Sequence, residues 1–214
     1  MARLLAFLAL KGGAGKSTCC LHVAAALHRR GHQVVVLEAD TQGTLSEWAA
    51  AGRLPFQVVP FDLARPVRTV VADLKAHTDT GVQVVLLDCA PHLQEPAVTA
   101  ALLADVVVVP VQPSPLDVAA TGPTLELVRE ARKARQGGRP KLALVPYRMT
   151  HTQLSARLPA TLADLGELVA PGVGQRTAVA ECGAVGLTVD AYEPKNPAVA
   201  EFDSLAAFLL KLAN

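Results

Sequence analysis

The sequence predicts an α/β protein with a doubly wound, mostly parallel sheet and helices on both of its faces. Short runs rich in Val and Leu alternate with longer amphipathic stretches along the 214 residues. The short runs are continuously apolar, which is typical of strands covered on both faces, and their order predicts parallel pairing through right-handed crossovers. The sequence shows no internal repeat and no long linker, so we expect one domain spanning residues 1–214.

Six apolar runs are the predicted strands. The first, Arg3–Leu10, resembles the apolar region of a signal peptide, but it continues into Lys11 and Gly12 without a small-residue cleavage pattern. We therefore interpret it as a buried strand, and no apolar run reaches the roughly 18 residues of a membrane span. The other strands are Gln33–Ala39, Phe56–Pro60, Gln83–Cys89, Asp105–Gln112 and Lys141–Tyr147.

Amphipathic stretches between and after the strands predict the helices. The last of them, around Pro197–Leu212, has Phe202, Leu205 and Leu209 on one face, which is the stripe of a helix packed on a body. Its other face carries the single cation Lys211, too few for attraction to anionic lipid. The other predicted helices are Thr18–Arg30, Leu45–Ala51, Pro66–Thr78, Glu95–Leu103, Leu116–Gln136 and Gln153–Leu165.

Composition narrows the classes of function. Lys and Arg number 20 against 19 Asp and Glu, so any contact with nucleic acid must come from a local basic patch. With 51% hydrophobic residues the chain is not disordered, and 4% aromatic residues argue against a protein that stacks single-stranded bases. The charged fraction, 18%, is low for a soluble domain, which indicates surface hidden by self-association.

A glycine-rich segment after the first strand is the most informative motif. The strict pattern G-x-x-x-x-G-K-[ST] fails, because its first glycine falls on Leu10. Glycines nevertheless let backbone N–H groups surround phosphate oxygens, and the next helix adds its positive end. Lys16 would reach the β- and γ-phosphates and Ser17 would ligate Mg²⁺. The predicted nucleotide-binding residues are Gly12, Gly13, Ala14, Gly15, Lys16, Ser17 and Thr18.

Lys11 places a second cation at the mouth of this loop. With it the segment resembles the deviant Walker A loop, K-G-G-x-G-K-[ST]-[ST], of the ParA/MinD family of P-loop ATPases. The resemblance is greatest to small ParA-type partition proteins. It implies that Lys11 works across a nucleotide-sandwich homodimer. Because the first strand begins almost at Met1, we expect no N-terminal helix-turn-helix domain.

Two strands end in acidic residues that would face the phosphates. Asp40 follows the second strand, and the alternative is that it caps the helix beginning at Leu45. The family usually has D-x-D-P-Q-G here, and Glu38 and Thr41 depart from this pattern. The resemblance implies that Asp40 belongs to the metal site and orients the attacking water near Mg²⁺. Asp88 ends the fourth strand and keeps the D-x-x-P pattern of a Walker B strand, which holds Mg²⁺.

Other loops are candidates for the base and for the dimer contact. The resemblance places Pro146, Arg148 and Pro194 around adenine, although ordinary surface loops explain each of them equally well. The Pro113 and Pro115 pair resembles the proline-rich segment that lies at the dimer contact of small ParA proteins.

A basic cluster near the fifth predicted helix is the candidate DNA contact. Part of it falls at helical spacing on one face, although acidic neighbours also fit a solvated face. The resemblance favours non-specific binding of double-stranded DNA. The predicted residues are Arg129, Arg132, Lys133, Arg135 and Arg139.

These motifs predict a slow, partner-stimulated ATPase that uses ATP/ADP and Mg²⁺, with Lys11, Lys16 and Asp40 as catalytic residues. The resemblance implies an ATP-bound homodimer that positions DNA cargo with a ParB-like centromere-binding protein, in the cytoplasm on the nucleoid and without a membrane contact. The alternatives are a MinD-like membrane-surface ATPase, an iron–sulfur relative of the nitrogenase iron protein, and a non-catalytic nucleotide switch. The second would need cysteines that converge at the dimer axis. The four cysteines show no C-x-x-C spacing, so a disulfide framework or a zinc site is not expected.

Overall fold

The computed structural model describes residues 2–91, 94–135 and 138–214. The predicted helix end at Gln136 lies outside them. The strands are β1 (Arg3–Phe7), β2 (Val34–Glu38), β3 (Gln57–Pro60), β4 (Val84–Asp88), β5 (Val106–Val111), β6 (Lys141–Met149), β7 (Leu168–Val169) and β8 (Val173–Gly174). The helices are α1 (Lys16–Arg29), α2 (Thr44–Ala49), α3 (Val67–Asp79), α4 (Gln94–Leu103), α5 (Pro115–Ala119), α6 (Gly122–Arg135), α7 (Gln153–Ala163), α8 (Thr177–Ala184), α9 (Val189–Tyr192) and α10 (Pro197–Leu212).

The strands form a parallel sheet in the order β3-β2-β4-β1-β5-β6-β7, and β8 pairs with the end of β6. The predicted fold class is therefore confirmed. β1 lies between β4 and β5, so the chain leaves the centre of the sheet in both directions. In such sheets the crevice at the carboxyl ends of the central strands is the place where ligands bind.

Two hydrophobic layers cover the sheet, one on each face. Along β1, Leu5 and Phe7 point into one layer whereas Leu4 and Ala6 point into the other, because successive strand residues alternate between faces. The first layer packs α1, α8 and α10 on the sheet, and the second packs α4, α6 and α7. The apolar stripe of α10 is buried in the first layer, as predicted.

The structure differs from the predicted elements in three respects. The single helix expected from Leu116 is two helices, because the first ends at Ala119 and Gly122 opens the second. β3 is an edge strand and is half-exposed rather than covered on both faces. β7, β8, α8 and α9 were not predicted; two-residue strands are too short to show a hydrophobic period.

Within the described ranges, no helix combines the length and the apolar composition needed to cross a lipid bilayer. All four cysteines are buried as free thiols, and burial raises the pKa of each.

Candidate functional site

The loop between β1 and α1 exposes a row of backbone donors. Gly13 has φ 73° and Gly15, the residue before α1, has φ 95°, so both adopt the left-handed conformation that glycine accepts without strain. Within the described part of the chain, none of the backbone N–H groups from Gly12 to Thr18 finds an acceptor. Together with the start of α1, these donors form a nest for an anion.

The ring of Tyr147 lies directly beneath this loop. Tyr147 belongs to β6 and is 2% exposed. A Cβ atom built on Gly15 would lie 2.3 Å from Tyr147 Cε1, so the loop can hold only glycine there. Sequence reasoning missed this contact, because the two residues are far apart in the chain and no local pattern links them.

The first half of the loop is fixed by the end of β5 and the helices after it. Gln112 donates from Nε2 to the Gly13 carbonyl oxygen at 2.7 Å. The Lys11 ammonium forms an ion pair with Asp117 at 2.8 Å. Neither Gln112 nor Asp117 was predicted as a site residue, although both belong to the segment that contains the proline pair.

Lys16 begins α1 and is buried under the loop, with 5% exposure. Burial lowers the pKa of Lys16, and the nearby carboxyls of Asp88 and Asp40 oppose this shift. The predicted lysine and the two predicted acids are thus brought together at the carboxyl edge of the sheet.

Asp88 is fully buried at the end of β4, and neither of its carboxyl oxygens has a hydrogen-bond partner in the part of the chain described. Burial raises the pKa of Asp88 to about 7; Asp40 and Glu38 add to the shift, whereas Ser17 and Lys16 oppose it. Ser17 faces this carboxyl without completing a well-aligned hydrogen bond. A buried carboxylate without partners is costly, and oxygens of this kind are the ligands that Mg²⁺ takes. The site therefore fits a divalent cation beside a phosphate chain.

Glu38, rather than Asp40, caps the start of α2. Its carboxylate accepts hydrogen bonds from the backbone N–H groups of Leu45 at 2.6 Å and Ser46 at 2.9 Å, and from the Ser46 hydroxyl. Glu38 therefore caps α2, so the alternative that Asp40 is the cap is wrong. Asp40 accepts instead from the N–H of Gln42 at 3.0 Å, within its own turn.

α2 is docked on the far side by Trp48. Its Nε1 donates to the Leu187 carbonyl oxygen at 2.9 Å, and its ring meets the His22 ring edge-on with centroids 5.8 Å apart. A Cβ on Gly183 of α8 would lie 3.1 Å from the Trp48 ring. α2 is thus held between Glu38 at its start and α1, α8 and the turn before α9.

A cavity of about 760 Å³ opens beside the loop, in the size range of small-molecule sites. Thr18, Tyr147 and Arg148 line one part of it, and Gln175 and Arg176 line another. Arg148 has φ 56°, a strained left-handed conformation for a residue with a side chain, and such strain is concentrated at functional sites.

Of the three residues predicted to frame adenine, only Arg148 lines this cavity. Pro146 is buried within β6 and packs near Gly172. Pro194 is exposed and lies outside the cavity wall. These two assignments are not supported by the geometry.

Three residues of the predicted basic patch are engaged within the fold. Arg132 forms a bidentate pair with Glu167, at 2.8 and 2.9 Å, and donates to a backbone carbonyl at 2.7 Å. Arg135 donates to a backbone carbonyl and Arg139 pairs with Asp105. Sequence spacing could not show the partners Glu167, Ala104 and Asp105, which lie 31 to 35 residues away.

The other two predicted residues remain accessible. Arg129 has a side chain 50% exposed, although it lies 3.9 Å from Glu167 and donates to the Leu165 carbonyl oxygen at 3.2 Å. Lys133 is 73% exposed and forms a surface pair with Glu130 at 2.7 Å, which water and salt weaken. The patch is therefore weaker than the sequence suggested.

The assembled site brings together backbone donors, a buried lysine, an acid that has no partner among the described residues, and a second acid after the adjacent strand. Donors and Lys16 can neutralise phosphate oxygens, Ser17 and Asp88 can hold a divalent cation, and Asp40 can accept a proton or orient water. These are the parts required for binding a nucleoside triphosphate.

Comparison with known proteins agrees with this geometry. The "Maintenance of carboxysome distribution protein A" of Halothiobacillus neapolitanus is 36% identical over 137 residues, which cover 60% of this chain and 59% of that protein. The "Chromosome-partitioning ATPase Soj" of Thermus thermophilus is 29% identical over 95% of this chain and 94% of its own length. With four of the relatives, the matched region spans only 52% to 59% of their length.

The fold has close counterparts among solved structures. The septum site-determining protein MinD of Pyrococcus horikoshii, solved with Mg-ADP, superposes with a TM-score of 0.79 at 19% identity over 100% of this chain and 98% of that one. Residues 5–189 match the sequence profile of the CobQ/CobB/MinD/ParA nucleotide binding domain. This match covers most of the chain and includes the loop, both acidic strand ends and the cavity, so the chain belongs to the CobQ/CobB/MinD/ParA family of nucleotide-binding domains.

Proposed function

We propose that this protein binds ATP with Mg²⁺ and hydrolyses it to ADP and phosphate. The observation that carries the proposal is Asp88, a buried carboxyl beside Lys16 and Ser17 and under the loop. Among the described residues, neither this carboxyl nor the N–H groups of the loop have hydrogen-bond partners. Lys16 binds the β- and γ-phosphates, while Ser17 and Asp88 hold Mg²⁺. The cation neutralises phosphate charge when it is bound.

Asp40 orients the attacking water, and ATP closes two copies into a homodimer in which Lys11 of each lies near the phosphates of the other. Chemistry of this kind depends on positioning and charge, so turnover is slow until a partner completes the site. Glu38 supports this assignment, because it caps α2, and among the described residues the Asp40 carboxylate is then bound only within its own turn.

Asp40→Ala is expected to keep ATP affinity within about threefold and to reduce phosphate release roughly a hundredfold or more, as loss of a water-orienting acid does. Calorimetry and a phosphate-release assay measure the two quantities. Asp62→Ala is the matched control: Asp62 follows the adjacent strand β3 and accepts from Ala64 N–H at 2.9 Å in the same kind of turn. Wild-type protein that binds ATP but releases no phosphate would indicate the non-catalytic switch instead.

We propose further that the ATP-bound dimer positions a cargo on double-stranded DNA in the cytoplasm, at the nucleoid, with a ParB-like partner stimulating turnover. Relatives named for partitioning and for carboxysome distribution support a positioning role. The exposed cations Arg129 and Lys133 support non-specific contact with phosphates. The burial of the apolar face of α10 favours this location over a lipid surface.

The DNA proposal is tested with the double variant Arg129→Ala, Lys133→Ala, because these two side chains are exposed. We expect the ATP-bound dimer to lose DNA affinity about tenfold or more, since two copies together lose four cations. Arg68→Ala with Lys75→Ala removes equal charge from exposed positions of α3 and is the control. Filter binding at two salt concentrations measures the effect; equal losses in both double variants would contradict the assignment to α6.

A further inference from the structure

Lys11 is held within its own subunit by Asp117. The Lys11 ammonium lies 2.8 Å from the Asp117 carboxylate, and the two side chains are 41% and 12% exposed. Asp117 lies in the first turn of α5, two residues after Pro115. In this arrangement the lysine cannot reach a second copy without leaving Asp117.

The backbone on both sides of Lys11 is fixed by the same part of the chain. We call residues 112–124 the clamp segment. From it, Gln112 donates to the Gly13 carbonyl oxygen at 2.7 Å, and Thr124 Oγ1 accepts from the Leu10 N–H at 3.5 Å, a weak contact. The Lys11 backbone is thus bracketed, so the movable part is its side chain, whose position Asp117 decides.

The Lys11–Asp117 ion pair stabilises the monomer relative to the dimer. Among the described residues, Asp117 forms no ion pair with any cation except Lys11. Removal of the lysine leaves a mostly buried carboxylate without its counter-charge, which is unfavourable. Any process that draws Lys11 away must therefore offset this loss.

We propose that Asp117 is a positioning residue that retains Lys11 in the single subunit and so limits how readily two ATP-bound copies pair. The inference rests on the proposed function, in which Lys11 exchanges the Asp117 carboxylate for phosphate oxygens in the second copy. In the proposed cycle, Lys11 is paired with Asp117 when the two copies are separate. It leaves Asp117 when the copies form the dimer.

The first measurement needs no nucleotide. Reductive methylation followed by mass spectrometry gives the labelling rate of each lysine, and Asp117→Asn is expected to raise the rate of Lys11 severalfold. Lys75 and Lys195 are exposed internal standards whose rates stay unchanged. An unchanged rate at Lys11 would overturn the inference, because it would mean that the ion pair does not hold the lysine.

The second measurement is the dissociation constant of the dimer formed with a non-hydrolysable ATP analogue, obtained by analytical ultracentrifugation. Asp117→Asn is expected to tighten pairing about threefold to tenfold, the range for a partly exposed ion pair. The matched control is Asp73→Asn, which breaks the Arg65–Asp73 pair of 2.7 Å at α3 and leaves the constant unchanged.

A structural role alone would weaken pairing or lower the melting temperature of Asp117→Asn without freeing Lys11. Pairing that is present in wild type but unchanged or weaker in Asp117→Asn overturns this inference and leaves the proposed function standing. Absence of ATP-dependent pairing in wild type overturns the homodimer of the proposed function, and this inference with it.

Discussion

Replacement of Gly15 by alanine is expected to abolish nucleotide binding, with an affinity loss of about a hundredfold or more. The Gly15 backbone has φ 95°, and an added Cβ would lie 2.3 Å from Tyr147 Cε1. Tyr147 is buried within β6 and cannot turn aside, so the loop must move and its N–H groups no longer converge on one anion. Calorimetric titration with ATP and Mg²⁺ measures the loss.

Two variants separate the clash from ordinary backbone strain. Gly31→Ala introduces the same methyl at φ 86° with no atom within 4 Å, so it should cost about 1 kcal/mol of stability and leave ATP affinity unchanged. Tyr147→Val added to Gly15→Ala removes the obstructing ring and should restore part of the affinity. Normal ATP binding by Gly15→Ala would show that the loop is not held against Tyr147.

Asp88→Asn is expected to stabilise the nucleotide-free protein while removing the additional stabilisation by ATP and Mg²⁺. At pH 8 the Asp88 carboxylate is buried without a hydrogen-bond partner among the described residues, and a neutral amide of equal size relieves that cost. The melting temperature without nucleotide should rise by roughly 2–6 °C. A thermal shift assay with and without ATP and Mg²⁺ reports both effects.

Glu38→Gln is the matched contrast, because Glu38 is also buried at the end of an adjacent strand but has its oxygens bonded to the start of α2. The amide replaces one acceptor by a donor that faces N–H groups, so the melting temperature should fall. If Asp88→Asn also lowers the melting temperature without nucleotide, or still responds fully to Mg²⁺, then Asp88 does not hold the cation.

Much of the fold could be predicted because its causes are local. The bounds of the last helix, Pro197–Leu212, agree with the structure, since an apolar period and a proline at its first position both act within a few residues. The phosphate loop is equally local, because its glycines lie where the backbone needs them. The short strands β7 and β8 depend on pairing with β6 and carry almost no signal of their own.

The site residues that sequence reasoning missed owe their roles to distant contacts. Tyr147 shapes the loop from another strand, and Asp117 meets Lys11 across more than a hundred residues. For the basic patch, the sequence predicted more free charge than the structure has. Helical spacing indicates only partners three or four residues away, whereas Arg132 pairs with Glu167, which lies 35 residues further along the chain. Charge patterns therefore predicted a surface that tertiary pairing has partly neutralised.

The docking of α2 through Trp48 provides an intrinsic fluorescence probe. Trp48 is the only tryptophan in the sequence, and its indole is wedged between α1, α8 and the Leu187 carbonyl, on the helix that follows Asp40. Any rearrangement of the segment after Asp40 that shifts α2 changes the environment of this single fluorophore. Stopped-flow emission can therefore time that motion in the unlabelled protein, separately from the release of phosphate.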